Sequence, residues 1–410
     1  MRFVVHDYPA HAFPLQLCRW LAGRGHHLLH LSSPAVGSPR GDVSRRPDDP
    51  PTLQIEPVVG RHDRLDKYSL VRRARQEWDY GGRLARRVRS FRPDAILAGN
   101  ASPLIQRRLL TAARRCDARF VYWLQDIYAE AAARVAIGGA TRVPGAVDGR
   151  RRRALLGRLV GAVEYGVLRA SAAVITISPD HVPLLIRHGI NRQAVTIIEN
   201  WASLNDVQPG QKANGWSRPN GLADRFVLLY AGTLGLKHDP AILADLADDL
   251  AGDNAVVAVV SEGRGRDWLE QEKARRGLEG LRLFDFAPAF SFSDVLASGD
   301  VLLAVLEHDA GAFSVPSKVL SYLCAGRPIL ATLPTENLAA RRLLESGAGV
   351  VVAPGERLAM ADQARRLMAD QAQRIAMGKA GRAFAEQAFD MDRIGQRFEA
   401  LLAGGKASAV

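Results

Sequence analysis

Cysteine is scarce in this 410-residue chain, where Cys18, Cys116 and Cys324 are the only three. Their spacing matches neither a thiolate metal site nor a disulfide framework, and it points to a reducing compartment. Long apolar runs are missing as well, since nothing approaches the ~18–20 apolar residues of a membrane span. The N-terminus, MRFVVHDYPAHAF, has no apolar core long enough for a signal peptide and reads as a strand over 2–5 entering a loop. These absences lead to the expectation of a cytoplasmic protein. Aromatics are few, 7% of residues, and are not interleaved with basic groups, so no stacking surface for nucleic acid is expected. No HExxH and no DxD motif is read, which leaves a required metal without support.

What is present is a globular composition, 47% hydrophobic and 24% charged, in a chain long enough for two domains. Charge is unevenly placed. Residues 1–200 hold 32 Lys+Arg against 17 Asp+Glu, a net of +15, whereas residues 201–410 hold 23 against 26, a net of −3. Arginine accounts for nearly all of the bias, in groups such as Arg72-Arg73-Arg75, Arg107-Arg108 and Arg150 to Arg153. A basic half beside a neutral one implies a polyanionic partner, nucleic acid or an anionic membrane face, for the first half. Between Arg83 and Phe91 the chain reads RLARRVRSF, with Leu84, Val88 and Phe91 near one helical face and Arg83, Arg86, Arg87 and Arg89 around the rest. That pattern suits a helix lying on an anionic bilayer, or one packing its apolar stripe inward.

Apolar runs and helical periodicities alternate twice along the chain. Strands are expected at 2–5, 27–31, 53–55, 95–98, 119–124, 173–177 and 194–198, with helices that include 13–23, 82–91, 103–115 and 152–170. A Gly- and Pro-containing loop is expected over 137–149, and the polar segment 204–221 reads as a linker. The alternation then restarts with strands at 226–231, 255–260, 281–284, 301–305, 328–331 and 349–352. The expected architecture is α/β, two doubly wound parallel-sheet domains facing a central cleft. The boundaries read are 1–205 and 206–385, with the C-terminal helix 386–404 a candidate to complete the first domain.

Three loops at successive strand ends of the second half carry the candidate chemistry. Gly232-Thr233-Leu234-Gly235 follows one strand, Ser261-Glu262-Gly263-Arg264-Gly265 the next, and Pro316-Ser317-Lys318 opens a helix. Glycines let a backbone approach a ligand, and a helix N-terminus with a lysine favours phosphate. The loops depart from GxGxxG, so a nicotinamide cofactor is not expected.

The succession YAGTLG, SEGRG, VPSKVLSYLCAGRPILA and GAGVVV resembles the donor domain of retaining nucleotide-sugar glycosyltransferases of the two-domain B fold. The similarity is to family four, in its bacterial exopolysaccharide and colanic-acid-like branch. WLQDIYAE at 123–130 and IENWASLN at 198–205 extend it into the first half. The resemblance implies transfer of a sugar, with retention and without a metal or other cofactor, from a nucleotide diphosphosugar to a lipid-linked or saccharide acceptor. It implies a donor-binding second domain and an acceptor-binding first domain, at the inner face of the plasma membrane and with no nucleic acid.

Donor contacts are then expected from Gly232, Thr233, Gly235, Lys237, Glu262, Gly263, Arg264, Glu307, Pro316, Ser317, Lys318 and Ser321. Lys318, with Lys237, the helix N-terminus and the amides of Gly232 to Gly235, would stabilise the leaving diphosphate. Asp126 would lie near the donor sugar and acceptor, or cap residues 127–136, and His11 would meet the acceptor. Phe313 and Ser321 stand where the family carries two glutamates, and a serine cannot match a carboxylate's two acceptor oxygens. The alternatives are a weak or inert protein of this fold, a nucleotide-sugar epimerase, and a nucleic-acid-binding protein.

Overall fold

The computed structural model describes residues 1–35, 43–60, 70–130, 150–235, 238–306 and 316–405. The chain divides into two units, Met1–Glu199 with Asp390–Val410, and Asn200–Phe389. Each is a parallel sheet with helices, as the alternation of short apolar strands and helical segments requires. The loop expected at 137–149 lies outside the described residues.

The first sheet contains β1 (Arg2–Asp7), β2 (His27–Ser32), β3 (Leu53–Pro57), β4 (Ala95–Gly99), β5 (Arg119–Leu124), β6 (Ala173–Thr176) and β7 (Val195–Ile197). Its order is β3-β2-β1-β4-β5-β6-β7. The second contains β8 (Phe226–Ala231), β9 (Ala255–Val260), β10 (Leu281–Phe284), β11 (Val301–Val305), β12 (Ile329–Thr332) and β13 (Gly349–Val352), in the order β10-β9-β8-β11-β12-β13. Central strands such as β9, AVVAVV, are buried along their whole length, which explains unbroken apolar runs in place of alternation. In both sheets the order reverses beside the first strand. Ligands of such folds sit outside the carboxyl ends of the strands at that reversal, between β1 and β4 or between β8 and β11.

Three sequence readings need correction. The helix expected over 82–91 runs from Leu70 to Phe91, straight through Gly81-Gly82. A glycine pair argues against helix on propensity. Here a Cβ on Gly81 would stand 3.0 Å from Cγ of Arg108, so the missing side chain lets this helix approach Pro103–Arg115 closely. The stretch 204–221 is no free linker. Gln208 donates its N–H to Ser293 Oγ at 3.2 Å, Lys212 reaches Asp300 at 2.5 Å, and Asn214 donates to the Asp294 carbonyl at 2.8 Å. Those bonds bind the segment to the second unit.

The third correction concerns Leu84, Val88 and Phe91, which are buried together with Tyr80. Arg87 pairs with Glu56 at 2.6 Å and Arg83 with Asp79 at 3.2 Å. The stripe therefore belongs to the core and offers no apolar face to a bilayer. Among the described residues no helix is long and apolar enough to cross a membrane.

The final helix, Met391–Leu402, packs in the first unit. Trp20 donates its indole N–H to Asp392 at 2.7 Å, and His26 and Glu399 meet at 2.7 Å. Gly395 lies under the Trp20 ring, where a Cβ would come within 2.4 Å of the indole. The sequence does contain DxD spacing once, Asp390-Met391-Asp392, but its carboxylates are engaged here. Asp390 accepts the N–H groups of Asp392 and Arg393, at 2.9 and 3.3 Å, and so caps this helix.

Candidate functional site

In the second unit, β8 ends at Ala231, held on both sides by one phenol. Tyr322 Oη accepts the Ala231 N–H at 2.9 Å and donates to its carbonyl at 3.1 Å. Gly232 follows at φ +145°, a conformation that disfavours side chains, and an added Cβ would lie 3.2 Å from Cε of Lys318. Lys318 opens the helix Lys318–Ala325, and its amino group reaches under Gly232 onto Tyr230. Nζ sits 3.9 Å from the ring centroid and donates to the phenol oxygen, which in turn donates to the Thr233 carbonyl at 3.1 Å. Among the described residues no carboxylate lies within ion-pair distance of Lys318. Burial of the ammonium pulls its pKa down from 10.5 to about 7. The result is a lysine at the switch point of the sheet with no ion-pair partner among the described residues.

The glycine loops brace one another. The Gly265 N–H donates to the Leu234 carbonyl at 3.1 Å, and a Cβ on Gly265 would come within 2.8 Å of Leu234 Cβ. Gly263, at φ +101°, leaves room for the same carbonyl. These contacts correct one expectation, that the amides of 232–235 are open to a diphosphate. Gly232 donates to Val260 O at 3.0 Å, Leu234 to Glu262 O and Ser261 Oγ, and Gly235 to His238 Nδ1 at 3.1 Å. Only the Thr233 N–H has no partner among the described residues.

Pro316 is buried, Ser317, Glu262 and Arg264 are exposed, and Ser321 is half-buried one turn beyond Lys318. Ser317 makes no side-chain cap, but the Val319 and Leu320 N–H groups of that first turn already donate to the carbonyls of Pro316 and Ser317 at 3.2 and 3.1 Å. Lys237, Glu307 and Phe313 lie outside the described residues.

At the first unit's switch point, β1 ends in His6-Asp7 and β4 is followed by Asn100. His6 and Asp7 are therefore strand residues, not loop residues. Asp7 accepts the backbone N–H of His11 at 2.5 Å, and His11 Nδ1 lies 3.1 Å from the same carboxylate oxygen and 3.3 Å from Asn100 Nδ2. Burial pushes the Asp7 carboxyl up, but the charge and hydrogen bonds of His11 leave it below the ordinary value. Asn100 holds φ +39°, a conformation asparagine tolerates better than most residues. His6 is fully buried, bonded to Tyr80 Oη at 3.0 Å, and burial lowers its pKa to about 3, so it is a neutral core residue.

Asp126 lies two residues past β5. Its charge acts on Tyr128, Glu164 and His181. The segment 127–136 that it was expected to cap lies mostly outside the described residues. Glu164, buried in the helix Arg150–Arg169, accepts the N–H groups of Tyr128 and Ala129 at 3.0 and 2.7 Å. Burial raises the Glu164 pKa to about 7 against those two bonds. Sequence reading missed Glu164, whose only signal is a carboxylate among the apolar positions of a helix. Among the described residues no group of three or more His, Cys, Asp or Glu is arranged to hold a metal ion.

Residues 10–201 match the family described as glycosyl transferase 4-like domain, and residues 225–370 match glycosyl transferases group 1. The chain belongs to the glycosyltransferases. It is 25% identical over 241 residues to WcaI of Escherichia coli, a glycosyl transferase named for colanic acid biosynthesis. That match spans 58% of this glycosyltransferase and 57% of WcaI, a little over half the length of the relative. Sucrose-phosphate synthase of Thermosynechococcus elongatus superposes with a TM-score of 0.73 at 13% identity, over 98% of both chains. HepE of Anabaena, solved with UDP-glucose, superposes with a TM-score of 0.68 at 17% identity, over 98% of this chain and 99% of HepE. At such identities the likeness establishes the GT-B fold, the two parallel-sheet α/β domains described above.

Proposed function

We propose that this glycosyltransferase moves a sugar, with retention of anomeric configuration and without a metal, from a nucleotide diphosphosugar to a lipid-linked or saccharide acceptor in cell-surface polysaccharide synthesis. The observation that carries the donor assignment is the Lys318 ammonium, half-buried beneath Gly232 with no carboxylate in ion-pair distance among the described residues. A desolvated cation at a strand-end switch point gains most from an anion, and a leaving diphosphate supplies one as the glycosidic bond breaks. Lys318 stabilises that charge, aided by the first turn of its helix and the Thr233 N–H. HepE, of the same fold, was solved with UDP-glucose, which makes uridine diphosphate the first ligand to try.

The first unit takes the acceptor. His11, oriented by Asp7, accepts a hydrogen bond from the attacking hydroxyl, and Asp126 acts near the donor sugar. The kinship with WcaI supports a polysaccharide role, and the basic first half supports work in the cytoplasm at the inner face of the plasma membrane.

Calorimetric titration with uridine, guanosine, adenosine and thymidine diphosphates and their sugars tests the donor site. At least one should bind in the micromolar to millimolar range, and Lys318→Ala should weaken it about 10- to 100-fold, the loss of a hydrogen bond to a charged group. Should none bind, or should Lys318→Ala bind as well as the parent, the donor assignment is lost. Proton NMR of the first-formed product reads retention from the anomeric coupling. Activity that disappears with a chelator and returns only with magnesium or manganese would count against the metal-free reaction.

A further inference from the structure

A second concentration of positive charge lies at the opposite end of the second unit's sheet, where strands begin. A groove of about 410 Å³ is lined there by Arg327, Arg374, Lys379 and Arg382 together with Asp300 and Glu386. Asp300 immediately precedes β11 and Arg327-Pro328 precede β12, so the groove is separated from the glycine loops by the length of the strands. Its floor forms where the helix Gln371–Ala388 crosses the end of Lys318–Ala325. The crossing is close, since a Cβ on Gly378 would stand 2.2 Å from the Gly326 carbonyl oxygen. Arg374, Gly378 and Arg382 recur at four-residue spacing and so share one face of that helix.

The charges do not cancel. Both acids are already engaged, Asp300 by Lys212 at 2.5 Å and by the Val227 N–H at 2.8 Å, and Glu386 by Arg382 at 2.7 Å. Among the described residues no carboxylate pairs with Arg327, Arg374 or Lys379. This happens in a half of the chain whose net charge is −3, so a generally basic surface does not account for it.

The guanidiniums are also held in place. Arg327 Nη2 donates to the carbonyls of Gly210 and Ala297 at 3.0 and 2.6 Å, and Arg374 Nη1 to those of Leu367 and Met368 at 2.5 and 2.9 Å. Carbonyl bonds explain where these groups sit but leave their charge uncompensated. They occupy one nitrogen of each fork, so Nε and Nη1 of Arg327 and Nε and Nη2 of Arg374 have no protein acceptor among the described residues. Burial lowers the Arg327 pKa, with Asp300 partly opposing it, and the side chain is half-buried.

We propose that this groove is a binding site for a phosphate-bearing ligand, separate from the donor site. Fixed guanidinium forks beside a mobile ammonium match the geometry and double charge of a phosphate group. The groove is far larger than a bare phosphate, so the group would be carried on a larger molecule, either a soluble phosphorylated compound or a lipid headgroup.

The test uses the full-length Lys318→Ala protein, which removes the donor-site cation. Inorganic phosphate and phosphatidylglycerol vesicles are the probes, read by calorimetry with thermal melts and by co-sedimentation. Saturable phosphate binding with a rise in Tm is expected, because a ligand of the native state alone stabilises it. Lys379→Glu, a change at an exposed residue, should weaken that binding at least tenfold while leaving binding of uridine diphosphate to the otherwise native protein unchanged. Arg374→Gln should act in the same direction. Loss of vesicle binding in Lys379→Glu identifies the lipid headgroup, and loss of free phosphate binding alone identifies a soluble compound. No saturable binding, or binding indifferent to Lys379→Glu, overturns the site, whatever becomes of the donor assignment.

Discussion

The two units solve the same topological problem with opposite electrostatics. Each sheet reverses its strand order beside its first strand, and each places an ionisable residue at that reversal. In the first unit the groups form a pair, His11 with Asp7 at 3.1 Å, next to Asn100. In the second, Lys318 stands over the Tyr230 ring with no carboxylate partner among the described residues. A balanced pair suits a neutral hydroxyl that needs orientation. An unbalanced, desolvated cation suits an anion, because the partner it lacks is the ligand. The difference supports the proposal that the acceptor enters one crevice and the diphosphate the other, without appeal to charge totals. Those totals point the other way, since the unit with surplus positive charge is not the one with the unpaired cation in its crevice.

The largest expected effect tests that division directly. Lys318→Ala should lower turnover at saturating donor by about 10²–10³-fold, the usual loss when one donor to a developing oxyanion is removed. His11→Ala should act chiefly on acceptor KM, with turnover falling less than in Lys318→Ala. Steady-state kinetics with donor and acceptor varied in turn separates the two. If His11→Ala costs more turnover than Lys318→Ala, the first crevice holds a general base and the contrast between orientation and charge stabilisation fails.

A smaller effect sharpens the comparison through pH. Lys318 has a pKa of about 7, lowered by burial, so its native state releases a proton that the unfolded chain keeps up to about 10.5. Its desolvation therefore weighs against stability below pH 7, and stability recovers as pH rises from 7 toward 10.5. Binding runs in the reverse sense. A diphosphate needs the ammonium, so affinity should fall by up to tenfold per pH unit above 7. Calorimetry at pH 8 in buffers of different ionisation enthalpy should record proton uptake on binding. Lys318→Arg, charged at every pH used, should flatten the slope even if its bulk beside Gly232 weakens binding. A slope that survives this substitution would show that some other group titrates.

Much of this contrast could be read from residue order, and some of it could not. Thirteen short apolar runs separated by helical periodicity sufficed to place the strands of the described residues, because strands buried on both faces are written as unbroken Val, Leu, Ile and Ala. Lys318 and the glycine loops were legible for a related reason, since glycine is tolerated at a strand end only where backbone turns sharply or approaches something. The sequence misled where tertiary contact overrode local preference. Gly81-Gly82 looked like a helix end and is a site of close helix packing, and 204–221 looked like a linker because its polar groups bond to distant residues that composition does not reveal. Asp7 and Glu164 were harder still. One acts on a residue four positions away across a turn, and the other caps a segment more than thirty residues before it. Local patterning carries no record of such pairings.

The smallest effect concerns where each unit keeps its surplus charge. In the second unit the crevice and groove hold cations without a carboxylate partner among the described residues, whereas the helix Leu70–Phe91 of the first displays arginines on its surface. With Leu84, Val88 and Phe91 buried, the part of the helix over 83–91 has no large apolar side chain to insert into a bilayer, so adhesion through its arginines is Coulombic. Each exposed arginine then contributes at most about 1 kcal/mol near an anionic surface. Arg83 and Arg87 already pair with Asp79 and Glu56, which partly cancels their fields, and Arg86 is the exposed residue of the four. Co-sedimentation with phosphatidylglycerol vesicles should therefore fall further on changing Arg86 and Arg89 to Ser than on changing Arg83 and Arg87. Binding should also collapse at high salt, because the Debye length shrinks from about 10 Å at 0.1 M to about 3 Å at 1 M. Neutral vesicles should not bind at any salt. Equal loss from the two double substitutions would mean that the ion pairs open at the membrane. Indifference to all four arginines, together with salt-sensitive binding of duplex or single-stranded nucleic acid, would move the basic half from a membrane surface to a nucleic-acid partner.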